Sequence, residues 1–188
     1  MTRLLAAGAL WGATAVAQPV IVEGVRFEPT VRVAEQTLHL NGAGLRTRGF
    51  FKVYAAALYV PERSSAAMTL LAQSGARRVV ITLLRDVHAD TFAGSLLDTL
   101  KANVSEAQLT ALQPQIEQLI NAFRAAGVAK RGDTIVLDYT PQVGTRIAVN
   151  GQVRGDAIGG AAFFTALLRI WLGDRPVDEA LKRALLGG

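Results

Sequence analysis

Between residues 20 and 40 apolar side chains alternate loosely with polar ones: Val20 and Val22, Phe27, Val31 and Val33, then Leu38 and Leu40. A period of two predicts two short antiparallel strands here, with Pro29 at a bend. Asn41-Gly42-Ala43-Gly44 reads as a glycine-loosened turn that leads through Arg46 and Arg48 into a nearly uncharged run. In that run, FFKVYAAALYV at residues 50–60, Lys52 is the only charge. Alternation places Phe50, Lys52, Tyr54, Ala56, Leu58 and Val60 on one side of a strand. Phe51, Val53, Ala55, Ala57 and Tyr59 fall on the other, so both faces are expected to be covered. Further strands are predicted at residues 78–84, 134–139 and 145–149, the last ending in Asn150-Gly151. That dipeptide is a strong hairpin signal and returns the chain through residues 152–158.

The period changes to that of a helix at residues 88–103, where Phe92, Leu96, Leu97 and Leu100 share a stripe continued by Val104. Asp90 is the expected N-cap. Ser105-Glu106-Ala107-Gln108 matches a capping box, after which Leu109, Leu112, Ile116, Leu119 and Phe123 extend the stripe toward Gly127. Pro114 falls inside it and predicts a short helix followed by a longer one. Residues 161–172 and 176–186 form the last two predicted helices, with Gly173 closing the first and Pro176 in the first turn of the second. Strands, two helices, more strands and two helices give an α+β class: an antiparallel sheet with helices packed on one face, an open-faced sandwich. No repeat, low-complexity segment or linker divides it.

Composition changes this picture mainly at the N-terminus. Arg3, the apolar stretch of residues 4–13 and the small residues Ala15-Val16-Ala17 before Gln18 have the pattern of a secretory signal. Residues 1–17 are therefore expected to be a signal peptide and residues 18–188 a single domain, exported and periplasmic. The apolar stretch is shorter than the roughly 20 residues a membrane span needs, and no other segment reaches that length, so no integral membrane span is expected. Cysteine is absent, which excludes disulfides, thiolate nucleophiles and thiolate metal sites. The formal net charge is +5, with scattered arginines and no aromatic-basic interleave. Nucleic acid is not an expected partner, whereas weak attraction to anionic ligands or an anionic membrane surface fits. Nothing in these patterns fixes an oligomeric state.

Little of the usual catalytic equipment is present. His39 and His88 are the whole imidazole supply and lie outside any H-x-x-x-H or H-E-x-x-H context, so no metal site is expected. Ser64, Ser65, Ser74, Ser95 and Ser105 lack a G-x-S-x-G elbow. Gly155, Gly159 and Gly160 do not follow phosphate-loop or dinucleotide spacing, so no cofactor is expected. Trp171, Phe163 and Phe164 at helical spacing read as core, with Phe163 also a candidate to line a cleft. Arg169 is expected to snorkel to solvent, and Arg77-Arg78 to form a solvated strand edge.

What remains is Arg46 with Tyr54. A guanidinium matches a carboxylate bidentately, and a nearby phenol can donate a further hydrogen bond to the same group. Taken alone, the pair reads first as an arginine bonded to loop carbonyls or paired with a surface carboxylate, beside an ordinary core tyrosine, and only second as a ligand site.

Four blocks in order, NGAGLRTRGFFKVYAAALYVP from Asn41, GDTIVLDY from Gly132, Val149-Asn150-Gly151 and LLRIWLGDRPVDEALKRALLG from Leu167, resemble the chalcone isomerase-like family. The resemblance is greatest to its fatty-acid-binding members and to bacterial envelope proteins of the same fold. It implies that Arg46, after Gly42-Ala43-Gly44-Leu45, and Tyr54, after Lys52-Val53, hold the carboxylate of a fatty acid. The connection is about four residues shorter than in the plant proteins, which leaves Arg48 as an alternative arginine. In true chalcone isomerases a threonine stands at the position of Tyr54, and a tyrosine and an asparagine align near Phe92 and Thr99. The resemblance thus implies a non-catalytic binding protein for a small apolar carboxylate, in a cleft between sheet and helices with Phe92, Leu96, Thr99 and Phe163 as candidate lining. An isomerase or lyase of chalcone isomerase type and an envelope interaction protein are the alternatives.

Overall fold

The computed structural model describes residues 18–127 and 130–188. The expected signal peptide, residues 1–17, lies outside the described residues. The chain begins with three short strands, β1 (Val20–Val22), β2 (Val25–Phe27) and β3 (Thr30–Val33). Two long ones follow, β4 (Gln36–Arg48) and β5 (Phe51–Val60), then helix α1 (Ala67–Ala72) and strand β6 (Arg77–Leu83). Helices α2 (Ala89–Asn103) and α3 (Glu106–Ala126) precede the meander β7 (Thr134–Thr140), β8 (Gly144–Val149) and β9 (Gln152–Val153). Helices α4 (Ala161–Leu172) and α5 (Glu179–Leu185) end the chain.

Strands β3 to β9 pair in chain order as one seven-stranded antiparallel sheet, and β1 and β2 form a separate hairpin. Every residue of β5 from Val53 to Val60 is buried, as alternating apolar residues on both faces require. Tyr54, Ala56, Leu58 and Val60 meet α2, α3, α4 and α5 in the larger core. Ala55, Ala57 and Tyr59 turn the other way, against Phe27, Val33, Leu38 and Leu40. The small alanines let the β1–β2 hairpin lie close on that second face, and the Tyr59 hydroxyl donates to the Glu28 carbonyl at 3.0 Å.

Several expectations change. Residues 41–44 are not a turn but the middle of β4. The glycines are there because α5 lies directly on them: a Cβ at Gly42 would collide with the Ala184 carbonyl, and one at Gly44 would sit 2.5 Å from the Ala184 Cβ. Asn41 is bulged out of the β4–β5 register and donates to the carbonyls of Ser64 (3.0 Å) and Leu185 (2.6 Å). Residues 20–40 form three strands and the start of a fourth.

Pro114 is accommodated inside α3, which runs unbroken for 21 residues from the capping box at Ser105 and Gln108. His88, not Asp90, occupies the N-cap of α2, and Asp90 in the first turn instead accepts from Arg124 at 2.9 Å. The last helix begins at Glu179 with Asp178 as its cap, later than Pro176 suggests. Arg77 is no solvated edge: it is 1% exposed, with its guanidinium carbon 4.9 Å from the Tyr139 ring centre and 5.1 Å from that of Phe164. Its neighbour Arg78 does face outward, forked onto Asp138 on the adjacent strand.

Two glycine substitutions separate close approach from mere helix composition. Gly42→Ala is expected to destabilise the fold by about 1–3 kcal/mol through overpacking against α5. Gly94→Ala, inside α2 with open space around it, should stabilise by about 0.5–1 kcal/mol. Urea unfolding of both variants checks the pair, and equal effects would refute the packing account.

Candidate functional site

Arg46 on β4 and Tyr54 on β5 are direct cross-strand partners, whereas the next pair is Thr47 with Lys52. Val53 is therefore the extra residue of a bulge, and Val53 and Tyr54 both reach the helix side. Below the bulge the alternation expected from sequence is reversed. Phe51 and Val53 join Arg46 and Arg48 on one side, while Lys52 turns to the β1–β2 hairpin and pairs with Glu23 at 2.7 Å.

The Arg46 guanidinium carbon lies 5.5 Å from the Tyr54 ring centre, a cation–π distance. Its Nη2 donates to Ser95 Oγ on α2 at 3.1 Å. Its Nε is buried and has no hydrogen-bond partner among the described residues. Tyr54 is 1% exposed, and its hydroxyl accepts from Trp171 Nε1 at 3.0 Å. Burial pushes the phenol pKa up to about 12, against the opposing influence of the Arg46 charge and the Trp171 bond. The phenol is neutral at any physiological pH, so it remains a donor. Edge-to-face contacts continue from Tyr54 to Phe92 (6.3 Å) and from Phe92 to Phe123 (5.4 Å).

Beside this pair a cleft of about 240 Å³ opens between the end of the β4–β5 hairpin and the β6–α2 connection. The hairpin supplies Arg46, Arg48, Phe51 and Val53, and the opposite wall is Val87, His88, Thr91, Phe92 and Ser95, with Arg85 and Asp86 at the rim. Asp86 is the only carboxylate in that lining, and it accepts from the Arg131 amide at 2.8 Å. The lining combines apolar side chains with three arginines and one carboxylate.

Of the residues predicted for a ligand site, Arg46, Arg48 and Phe92 come together in the cleft, with Tyr54 packed behind Arg46. Leu96 instead faces a remnant space of about 10 Å³ between α2, α3 and α4, which is about the least a single water requires. Thr99 donates within its own helix to the Ser95 carbonyl at 2.9 Å, and Phe163 is fully buried core. The space thus lies at the edge of the sheet–helix interface, because side chains fill the middle. Sequence reasoning passed over Ser95 as a site residue, although it lies three residues after Phe92 and so on the same helical face. It also passed over Arg85, Thr91 and the Trp171 partner of Tyr54, for which no local signal exists.

Helix α5 closes β4 beside the site. Asp178 accepts from the Thr47 amide (3.0 Å) and hydroxyl (3.2 Å), and from the amides of Ala180 (2.8 Å) and Leu181 (3.0 Å). Partial burial pushes its pKa up, but these hydrogen bonds together hold it below the usual carboxylate range.

The sequence pattern described as chalcone isomerase-like matches residues 19–187. The chain belongs to the chalcone isomerase-like family. No curated protein sequence matches it. Among solved structures, a fatty-acid binding protein of Arabidopsis thaliana is similar, with a TM-score of 0.67 and 16% identity over 90% of this chain and 96% of that one. At that identity the likeness establishes a shared fold. In this chalcone isomerase-like protein Phe92 packs edge-to-face between Tyr54 and Phe123, and the Thr99 hydroxyl is tied to its own helix.

Loss of the Asp178 cap by Asp178→Ala should cost about 1 kcal/mol at neutral pH. Because the folded-state pKa is depressed, this contribution is present above the unfolded value of about 3.9 and is lost as pH falls through the folded value. Thermal melts of wild type and variant should therefore converge below about pH 4; a constant gap down to pH 2 would contradict the assignment.

Proposed function

We propose that this protein is an exported, non-catalytic binding protein for a small apolar carboxylate such as a fatty acid, whose head is held by Arg46 in the cleft beside α2. The observation that carries this reading is the state of Arg46. It is half-buried, holds one side-chain hydrogen bond to a neutral hydroxyl, and has no carboxylate within 4 Å among the described residues. A guanidinium in that position has lost solvation without gaining a counter-ion, and an entering carboxylate supplies one. Fatty-acid binding by the structural neighbour of the same fold supports the choice of ligand class. The leader pattern of residues 1–17 supports export.

Size refines the ligand. About 240 Å³ corresponds to roughly eight water volumes at about 30 Å³ each, enough for a carboxylate and the first few carbons. Each charge-assisted hydrogen bond is worth about 1.5–3 kcal/mol. Each covered methylene adds about 0.8 kcal/mol, so four of them match the head. A longer tail continues outside, over Phe51. Tyr54 serves as the ring behind Arg46, since it is buried and lies outside the cleft lining. Neither Phe92 nor Thr99 offers a free hydroxyl for the addition step of an isomerase, which favours binding over chemistry.

Calorimetric titration with octanoate tests the site. Arg46→Ala should weaken binding at least about tenfold, the equivalent of one charge-assisted bond, with little change in melting temperature. Arg48→Ala should cost less, and Tyr54→Phe less than about threefold in affinity while lowering stability by about 1 kcal/mol through the lost Trp171 bond. Undiminished binding by Arg46→Ala would overturn the assignment, and a larger loss in Arg48→Ala would move the head to the outer arginine.

A further inference from the structure

The tip of the β4–β5 hairpin projects into solvent and carries an unusual combination of side chains. Gly49 makes the turn at φ +59°. Phe50 follows at 104% exposure and Phe51 at 62%, two adjacent phenyl rings held out of the core on a strand end. Isolated exposed apolar residues need no explanation, but this pair is ringed by cations. Arg48 precedes it, Lys52 follows, and the Arg85 guanidinium carbon lies 4.7 Å from the Phe51 ring centre. The bond from the Arg131 amide to Asp86 brings a further exposed arginine to the same end. Of these side chains only Lys52 forms an ion pair among the described residues, with Glu23, and Asp86 is the one carboxylate lining the cleft beside them.

We propose that this tip docks the protein on an anionic phospholipid bilayer, with Phe50 and Phe51 entering the headgroup layer and Arg48, Lys52, Arg85 and Arg131 facing lipid phosphates. Aromatic rings with cations around them suit the boundary between hydrocarbon and water. Each basic residue near an anionic leaflet contributes roughly fivefold in partitioning. A second copy of the chain is a poorer occupant, because two such tips would oppose like charges. Docking in this pose sets the mouth of the cleft, which shares Arg48 and Phe51 with the tip, against the lipid surface. The surface reading rests on exposure and charge, and is independent of the carboxylate reading.

Co-sedimentation of the protein with vesicles of phosphatidylglycerol and phosphatidylcholine in equal parts tests it. Wild type should bind them at low ionic strength and bind pure phosphatidylcholine vesicles more weakly. Added salt should release it. Phe50→Ser, at a site that touches neither core nor cleft, should lower vesicle partitioning by about tenfold, and Lys52→Glu by more than the roughly fivefold of simple charge loss. Octanoate affinity should stay the same in Phe50→Ser, so failure of this proposal is distinguishable from failure of the ligand site. Equal vesicle binding by Phe50→Ser and wild type would overturn the proposal. So would a dimer in analytical ultracentrifugation that Phe50→Ser dissolves while vesicle binding is unchanged.

Discussion

A strand buried on both faces must be roofed twice, and β5 imposes that condition on the whole molecule. From Val53 to Val60 no side chain reaches solvent appreciably, so one face calls for the helices and the other for the β1–β2 hairpin. The large residues Tyr54 and Leu58 take the helix face, and the small Ala55 and Ala57 take the face where the hairpin lies close. The remaining strands extend this centre outward on either side. The two phenols of β5 are satisfied individually: Trp171 donates to the Tyr54 hydroxyl, and the Tyr59 hydroxyl donates to the Glu28 carbonyl.

The candidate site stands where that cover stops. Helix α2 begins at Ala89 and α5 at Glu179, leaving the last residues of β4 and the first of β5 beyond the packed layer. The bulge at Val53 then turns Phe51 and Val53 toward the gap and Lys52 away from it. One inserted residue thus converts a regular edge into an apolar recess with a guanidinium at its inner wall. Ser95 fixes one side of that guanidinium and the Tyr54 ring supports its face, so its orientation is set before any ligand arrives, which reduces the ordering cost of binding.

How much of this could be read from the chain depends on whether the signal was local. Alternation in residues 54–60, the Ser105–Gln108 capping box and the Asn150-Gly151 hairpin all act within a few residues, and each appears in the structure where the pattern puts it. Gly42 and Gly44 were ambiguous because a glycine serves a turn and a close helix approach equally, and only α5, more than a hundred residues later, decides between them. The Val53 bulge is a property of β4 and β5 together, so alternation along one strand fails at that point. Pro114 needs no break because it forfeits only one helical bond in a long helix that packs on α2. At the site, the residue types and the pairing of Arg46 with Tyr54 were legible. The Trp171 bond and the filled interior, which displace the cleft to the rim, depend on packing between distant elements and were not.

The seating of α5 on β4 has a consequence for how the molecule reaches its native state. Asn41 bonds Leu185 across 144 positions of chain, and Thr47 bonds Asp178 across 131. Contacts of such range raise the contact order of the fold, which slows its formation. During synthesis, β4 therefore emerges well before the helix that covers its glycine face. Until residues 178–185 are released, that face stays bare, and any chaperone escorting the nascent chain would have it to hold.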